Sequence, residues 1–364
     1  MIPIAKPHIG EDEKRAVMEV LDSGLLVQGE RVREFERSFA GYHGIGHGIA
    51  TSSGTTALIT ALMAHGIGPG DQVVVPAFTF FATASAVLSV GAKPVFADVD
   101  ARTLTLGADQ VARVLTPQTR GVIAVHLYGC LADMPRLAAL CAQHGLILLE
   151  DAAQAHGAKL GVHGVGSWGT ACFSFHPSKN MTTGEGGMVL TNEERIADLS
   201  RQIRNQGMTQ RYHHERPGSN FRLTECAAAI GLAQLQRLDA WTHRRIANAA
   251  RYHQGLRGVQ RLEPPAGVTH VYHQYTVRLP GGRTASGRSR DDLVCTLQER
   301  QIDARVYYRV PLHRQPCFAA LNCAPYHLPS TERAAEEVFS LPVHPGVSEL
   351  ELDFIIDEVN RLCA

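Results

Sequence analysis

Lysine is scarce in this chain of 364 residues: of its 35 basic residues only Lys6, Lys14, Lys93, Lys159 and Lys179 are lysines. Arginine stays protonated and forms no imine with an aldehyde, so any amine chemistry has few candidates. Net charge is missing too. The 35 basic residues are balanced by 35 acidic ones and no basic run stands out, which excludes the electrostatic footprint of a nucleic-acid binder. No apolar stretch reaches 18 residues, so no membrane span is expected. The opening MIPIAKPHIGEDEKR has no apolar core of the kind a secretion signal carries. The eight cysteines form no CxxC pair and read as reduced, mostly buried thiols of a cytoplasmic protein. The 18 histidines supply no HxxxH or HExxH in a helical stretch, so no metal site is expected.

What is present is an ordinary globular composition, 45% hydrophobic and 19% charged, long enough for one large domain and a smaller one. Apolar runs at 72–78 (QVVVPAF), 93–100, 121–127 and 146–151 (LILLED) read as strands buried on both faces of a mostly parallel sheet. Helical periodicity falls between them at 54–65, 83–91, 106–115 and 134–145. Helix dominates from 224 to about 256, and EPPAG (263–267) then opens a second region. There 271–279 and 304–310 read as strands, 291–301 and the final ELELDFIIDEVNRL as helices, and 281–289 as a flexible link.

Three local features carry chemistry. Asp151 ends the apolar strand LILLED, at the carboxyl edge of the sheet where α/β proteins bind ligands. It can cap a helix, sit in a solvated loop or pair with a ring cation. TSSGTT (51–56) opens a helix, where backbone N–H groups favour an anion by roughly 0.3–2 kcal/mol; ordinary capping is the alternative. Lys179 lies in FSFHPSKNMTTGEGGM, between a strand end and a turn rich in glycine, where burial would disfavour its ammonium form. GVGSWG (164–169) matches the GxGxxG of dinucleotide binders, but TACFSF after it looks like strand, so it reads as a loop.

With those residues in hand, the sequence strongly resembles the pyridoxal-phosphate sugar aminotransferases of the DegT/DnrJ/EryC1/StrS family. The match runs through LLVQGERVREFE, ATSSGTTAL, VPAFTFFATASAV, VHLYGCLADM, EDAAQAHGA, FSFHPSKNMTTGEGGM, NFRLTECAAAIGLAQL and YYRVPLH. The resemblance implies the α/β fold of type I pyridoxal-phosphate transferases, a large cofactor domain over 1–240 and a small α+β domain over 241–364. The N-terminal segment could pack on the small domain.

By the same resemblance Lys179 would form the internal aldimine and Asp151 would hold the pyridinium nitrogen protonated. Gln154 would lie near the phenolic oxygen, Phe80 would stack on the ring, and Gly54, Thr55 and Ser174 would bind the phosphate. Asn220 would reach the neighbouring subunit's cofactor phosphate, which implies a homodimer with shared active sites. Arg222, Tyr308 and His313 would face the substrate. Two positions depart from many relatives: Ser219 replaces Tyr and Cys130 replaces Gln.

The implied reaction is a ping-pong transfer of an amino group from glutamate or glutamine to a keto sugar, a nucleotide-linked 3- or 4-keto hexose. A cyclitol ketone is the alternative acceptor. A sugar dehydratase of this fold would carry histidine at the lysine position, and a non-catalytic regulatory relative would lose Lys179 or Asp151; this chain keeps both.

Overall fold

The computed structural model describes residues 1–319, 321 and 326–364. Its centre is a seven-stranded sheet: β1 (His47–Thr51), β2 (Gln72–Pro76), β3 (Lys93–Ala97), β4 (Thr119–Val125), β5 (Ile147–Asp151), β6 (Thr170–Ser174) and β7 (Gly187–Thr191). The spatial order is β1-β7-β6-β5-β4-β2-β3, and only β7 runs antiparallel to its neighbours. The mostly parallel sheet expected from the apolar runs is present.

Its two faces follow from the two-residue period of a strand. Val73, Val75, Ile123 and Leu149 pack with Ala57, Leu58, Ala61 and Leu62 of the helix Gly54–Ala64. Val74, Val122, Ala124 and Leu148 face the other way, onto Met134, Leu137 and Cys141 of the helix Met134–His144. Each such aliphatic side chain contributes about 1.5–3 kcal/mol on burial, so helices on both faces hold the strands in register. In that register Asp151 lies opposite Val125 of β4 and Cys172 of β6.

A second core forms around a small antiparallel sheet of Gln260–Arg261, Tyr275–Arg278 and Val338–Leu341. Tyr275, Val277, Phe339 and Leu341 pack there with Leu293 and Leu297 of the helix Arg290–Glu299 and with Leu352, Ile355 and Val359 of the helix Glu349–Cys363. Ile2 joins this core, its N–H donating to the Gln301 carbonyl at 2.7 Å. The helix Leu238–Gly255 starts with Leu238 in the core under the main sheet and ends with Ala249 and Tyr252 in the second one. Position 240/241 therefore falls inside a continuous helix.

Several expectations need correction. The segment 304–310 is not a strand: Arg305 alone bridges to Ser340, and the chain then turns through Tyr307 and Tyr308. The segment 271–279 is strand only over Tyr275–Arg278, because Val271 and Gln274 donate their N–H groups to the carbonyls of Gly129 and Tyr128 instead. The helix expected over 106–115 is confined to Ala108–Ala112. The loop reading of GVGSWG holds, for an internal reason. Gly166, Trp168 and Gly169 donate their N–H groups to the buried Glu150 carboxylate, which also contacts His126 at 2.9 Å. That turn does bind an anion, and the anion belongs to its own chain. Of the seven described cysteines Cys130, Cys141, Cys172 and Cys363 are buried, Cys226 is partly covered, and Cys295 and Cys317 are exposed; Cys323 lies outside the described residues. Among the described residues no helix is long and apolar enough to cross a membrane.

Candidate active site

The connection from β6 to β7 places the lysine. Phe175 donates its N–H to Gly186 O and accepts from Thr183 N–H, while the Thr182 hydroxyl donates to the Phe175 carbonyl at 2.7 Å. These bonds close the base of the loop. Its tip turns back through Lys179 N–H to His176 O at 2.9 Å, and Asn180 is fixed by its side-chain amide donating to Val271 O. The amine at 179 is thereby folded inward over the carboxyl end of the sheet.

Lys179 lines a cavity of about 310 Å³ together with Asp151, Gly54, Thr55, Phe80, Gln154, Ser174 and Tyr308. Eight of the eleven residues singled out from the sequence therefore meet around one space. Lys179 is only partly covered because its side chain borders that space, yet protein surrounds it closely. Burial lowers its amine from an ordinary 10.5 to about 8, opposed by the charge of Asp151. Among the described residues it makes no hydrogen bond or ion pair.

Asp151 is buried, and burial raises its carboxyl above the ordinary range. Working the other way are a hydrogen bond from the Thr83 hydroxyl at 2.7 Å, one from Ala153 N–H at 3.2 Å, and the charges of Lys179 and His126. A close ion pair would push a carboxyl down and an amine up. Here both move towards neutrality, so desolvation outweighs their mutual attraction and each charge lacks a close partner.

Next to them is an anion cradle. Ser53 caps the helix Gly54–Ala64, its hydroxyl accepting from Thr56 N–H at 3.1 Å and its N–H donating to the Thr56 hydroxyl at 2.9 Å. A Cβ on Gly54 would lie 2.6 Å from Ser174 Cβ, and one on Gly187 only 2.2 Å from Ser53 O. Both glycines are required by close approach: one lets the helix start abut β6, the other lets β7 pass under the cap. The result brings the N–H groups of a helix start beside the hydroxyls of Thr55 and Ser174.

The aromatic wall completes the cavity. Phe80, 58% exposed, stands with its ring 6.3 Å from that of Tyr308. Gln154 accepts from Tyr128 N–H at 2.6 Å and donates through Nε2 to Tyr308 Oη at 3.2 Å. Burial raises the Tyr308 phenol, keeping it protonated.

Three expected residues lie elsewhere. His313 does not line this cavity; its Nε2 lies 3.2 Å from the Glu332 carboxylate. Arg222 donates to Asn205 Oδ1 at 2.8 Å. Asn220 is exposed, pairs its backbone with Asn205 and stays outside its own chain's cavity. Sequence reasoning passed over Thr83, which donates to Asp151, and Tyr128 and His273, which line the cavity. Thr83 sits in the first turns of the helix Phe81–Ser89, and nothing in its local pattern shows that it meets Asp151. The left-handed backbone of Tyr128 (φ 59°) is likewise not legible in its sequence neighbourhood.

The family model of the DegT/DnrJ/EryC1/StrS aminotransferase family matches residues 7–360. The chain belongs to this family. The aminotransferase is 42% identical over 97% of its length to a pleiotropic regulatory protein of Geobacillus stearothermophilus, covering 94% of it. It is 43% identical over 94% of its length to the UDP-N-acetyl-3-dehydro-alpha-D-glucosamine 3-aminotransferase of Acidithiobacillus ferrooxidans, covering 91% of that protein. Among solved structures, Streptomyces venezuelae DesV in complex with a ketimine intermediate matches with a TM-score of 0.91 at 39% identity, over 96% of this chain and 93% of that one.

Pyridoxal phosphate, which the family implies, fits the residues present. The buried carboxylate of Asp151 lacks a cation, the amine of Lys179 lacks a partner, and the cradle at Gly54 and Ser174 suits a phosphate.

Proposed function

We propose that this aminotransferase moves an amino group from glutamate or glutamine to a ketone on a nucleotide-linked hexose, in two half-reactions at the same cavity. The reading rests chiefly on one observation: Lys179 and Asp151, both pushed towards neutrality, share a cavity with an anion cradle and an exposed aromatic ring. When bound, pyridoxal phosphate supplies the carbonyl that captures amines and the ring that spreads the charge left at a deprotonated carbon.

The residues divide the remaining work. Asp151, braced by Thr83, would hold a proton on the ring nitrogen. Ser53, Gly54, Thr55 and Ser174 would fix the phosphate, and Phe80 would cover one face of the ring. Lys179 would first carry the cofactor. When free, its Nζ would take and hold the proton from the donor's α-carbon and give it back; an amine near 8 suits both directions around neutral pH. Gln154 and Tyr308 would orient the groups beside the ring.

A nucleotide-linked acceptor is supported by the printed name of the Acidithiobacillus relative. Two copies would share their sites in the cytoplasm, Asn220 reaching from each into the other. The test is a panel of keto-hexose nucleotides and cyclitol ketones incubated with glutamate or glutamine, with product followed by mass spectrometry. Amination of a nucleotide-linked ketone, with stoichiometric keto acid released, is expected. Amination of cyclitol ketones alone would overturn the acceptor, and no amination of any ketone would overturn the transfer.

A further inference from the structure

Another cavity, of about 390 Å³, borders the loop that carries the lysine. Its other walls are the N-terminal segment from Lys6 to His8, the first half of the helix Leu238–Gly255, and the turn at Pro345 and Gly346. Among the described residues Lys179 alone lines both this space and the cofactor cavity. Three further cations line it, Lys6, Arg244 and Arg245, and no described residue of its lining carries a carboxylate. None of the three forms an ion pair among the described residues. Glu351, whose carboxylate feels the charge of Lys6, does not line the space and accepts from the N–H and hydroxyl of Ser348 at 2.8 and 2.9 Å.

Arg245 is the buried member, 5% exposed. Its Nη1 donates to the Tyr272 carbonyl at 3.1 Å and its Nε is covered and unbonded. Nη2 is neither covered nor bonded, and is the arm left to face the space. Burial lowers the guanidinium from 12.5 to about 10 with no carboxylate opposing it, so it stays a cation at neutral pH. Holding such a group away from water without a counter-charge is costly. The neutral polar side chains nearby are already spent within the chain: Gln234 donates to His8 O and to Glu13, and Asn180 donates to Val271 O. What remains available on the lysine, the two arginines and Trp241 is donors only. A wall of donors calls for a ligand of acceptors.

We propose that this cavity binds a small organic dicarboxylate, its two ends divided between the adjacent arginines of the helix and Lys6 of the N-terminal segment. Such a molecule offers acceptors at two separated points, and each charge-assisted hydrogen bond is about twice as strong as a neutral one. Its short carbon spine can lie against Trp241 and Pro345, and the volume lies in the range that holds a small organic molecule. The proposal does not depend on the acceptor sugar proposed above.

The holoenzyme is titrated calorimetrically with glutarate, and with acetate and inorganic phosphate as compact anions. Saturable glutarate binding is expected, tighter than that of either compact anion and weakened roughly tenfold or more in Lys6→Ala and in Arg244→Ala. Neither residue lines the cofactor cavity, so glutarate held there would not respond to these substitutions. Arg245→Gln should weaken binding as well; if it does not fold, the other two variants decide. No saturable glutarate binding, or binding that Lys6→Ala and Arg244→Ala leave unchanged, would overturn the site. Acetate or phosphate bound as tightly as glutarate would overturn the dicarboxylate.

Discussion

Thr83→Val removes the only side-chain hydroxyl among the described residues that donates to the buried Asp151 carboxylate, at 2.7 Å, while keeping the shape of the residue. A hydrogen bond to a charged group contributes about 1.5–3 kcal/mol, which corresponds to about one to two units of pKa. Ala153 N–H, at 3.2 Å, would remain as the one backbone donor to the carboxylate. Asp151 is already raised by burial, so the loss moves it further towards the neutral acid, which cannot hold a proton on a ring nitrogen. Cofactor affinity, measured by equilibrium dialysis near neutral pH, should fall roughly ten- to hundredfold, with turnover falling alongside. Thr83→Ser restores the hydroxyl at the expense of one methyl and should recover most of both. A folded Thr83→Val enzyme whose cofactor affinity and turnover match the wild type would refute the role given to this hydroxyl.

Gly54→Ala puts a methyl 2.6 Å from Ser174 Cβ; overpacking should lower stability by about 1–3 kcal/mol and weaken cofactor retention. Adding Ser174→Gly should recover stability in a melting experiment but not full retention, because a phosphate donor is gone. Lys179→Met tests the buried amine in the cofactor-free protein. Burial lowers the amine from 10.5 to about 8, so below about pH 8 the folded protein carries the whole desolvation penalty, about 3 kcal/mol. Between about pH 8 and 10.5 the unfolded chain binds more protons, and wild-type stability rises with pH. The variant, without the penalty, should be more stable in urea at pH 7, and its lead should shrink across that window; a constant lead contradicts the shift. Asn220→Ala in mixed dimers should loosen the cofactor of the unmutated partner chain, and a defect confined to the mutated chain's own cofactor would contradict the crossed arrangement.

Much of this was legible in the sequence because parallel strands buried on both faces announce themselves as continuous apolar runs. The runs at 72–78, 121–127 and 146–151 hold β2, β4 and β5, and the last fixes Asp151 at the sheet edge. The second region was harder to read. ARVYYRV alternates like a strand, but Tyr308 turns its ring into the cofactor cavity and Tyr307 offers its carbonyl to the Tyr128 hydroxyl, so side-chain demands replace a sheet ladder. Thr83 and Asp151 are 68 positions apart, and helix periodicity says nothing of a bond set by how that helix sits on the sheet. Nor does the sequence show that the helix Pro329–Glu337 brings Glu332 to the ring of His313.

The most direct test uses the scarcity of lysine. Borohydride reduction of the holoenzyme, followed by peptide mass mapping, should find the cofactor's mass on the peptide containing Lys179. Lys6, Lys14, Lys93 and Lys159, all exposed, should remain unmodified. Cofactor fixed at any of those four, or at no lysine in an active preparation, would contradict the assignment of the buried amine.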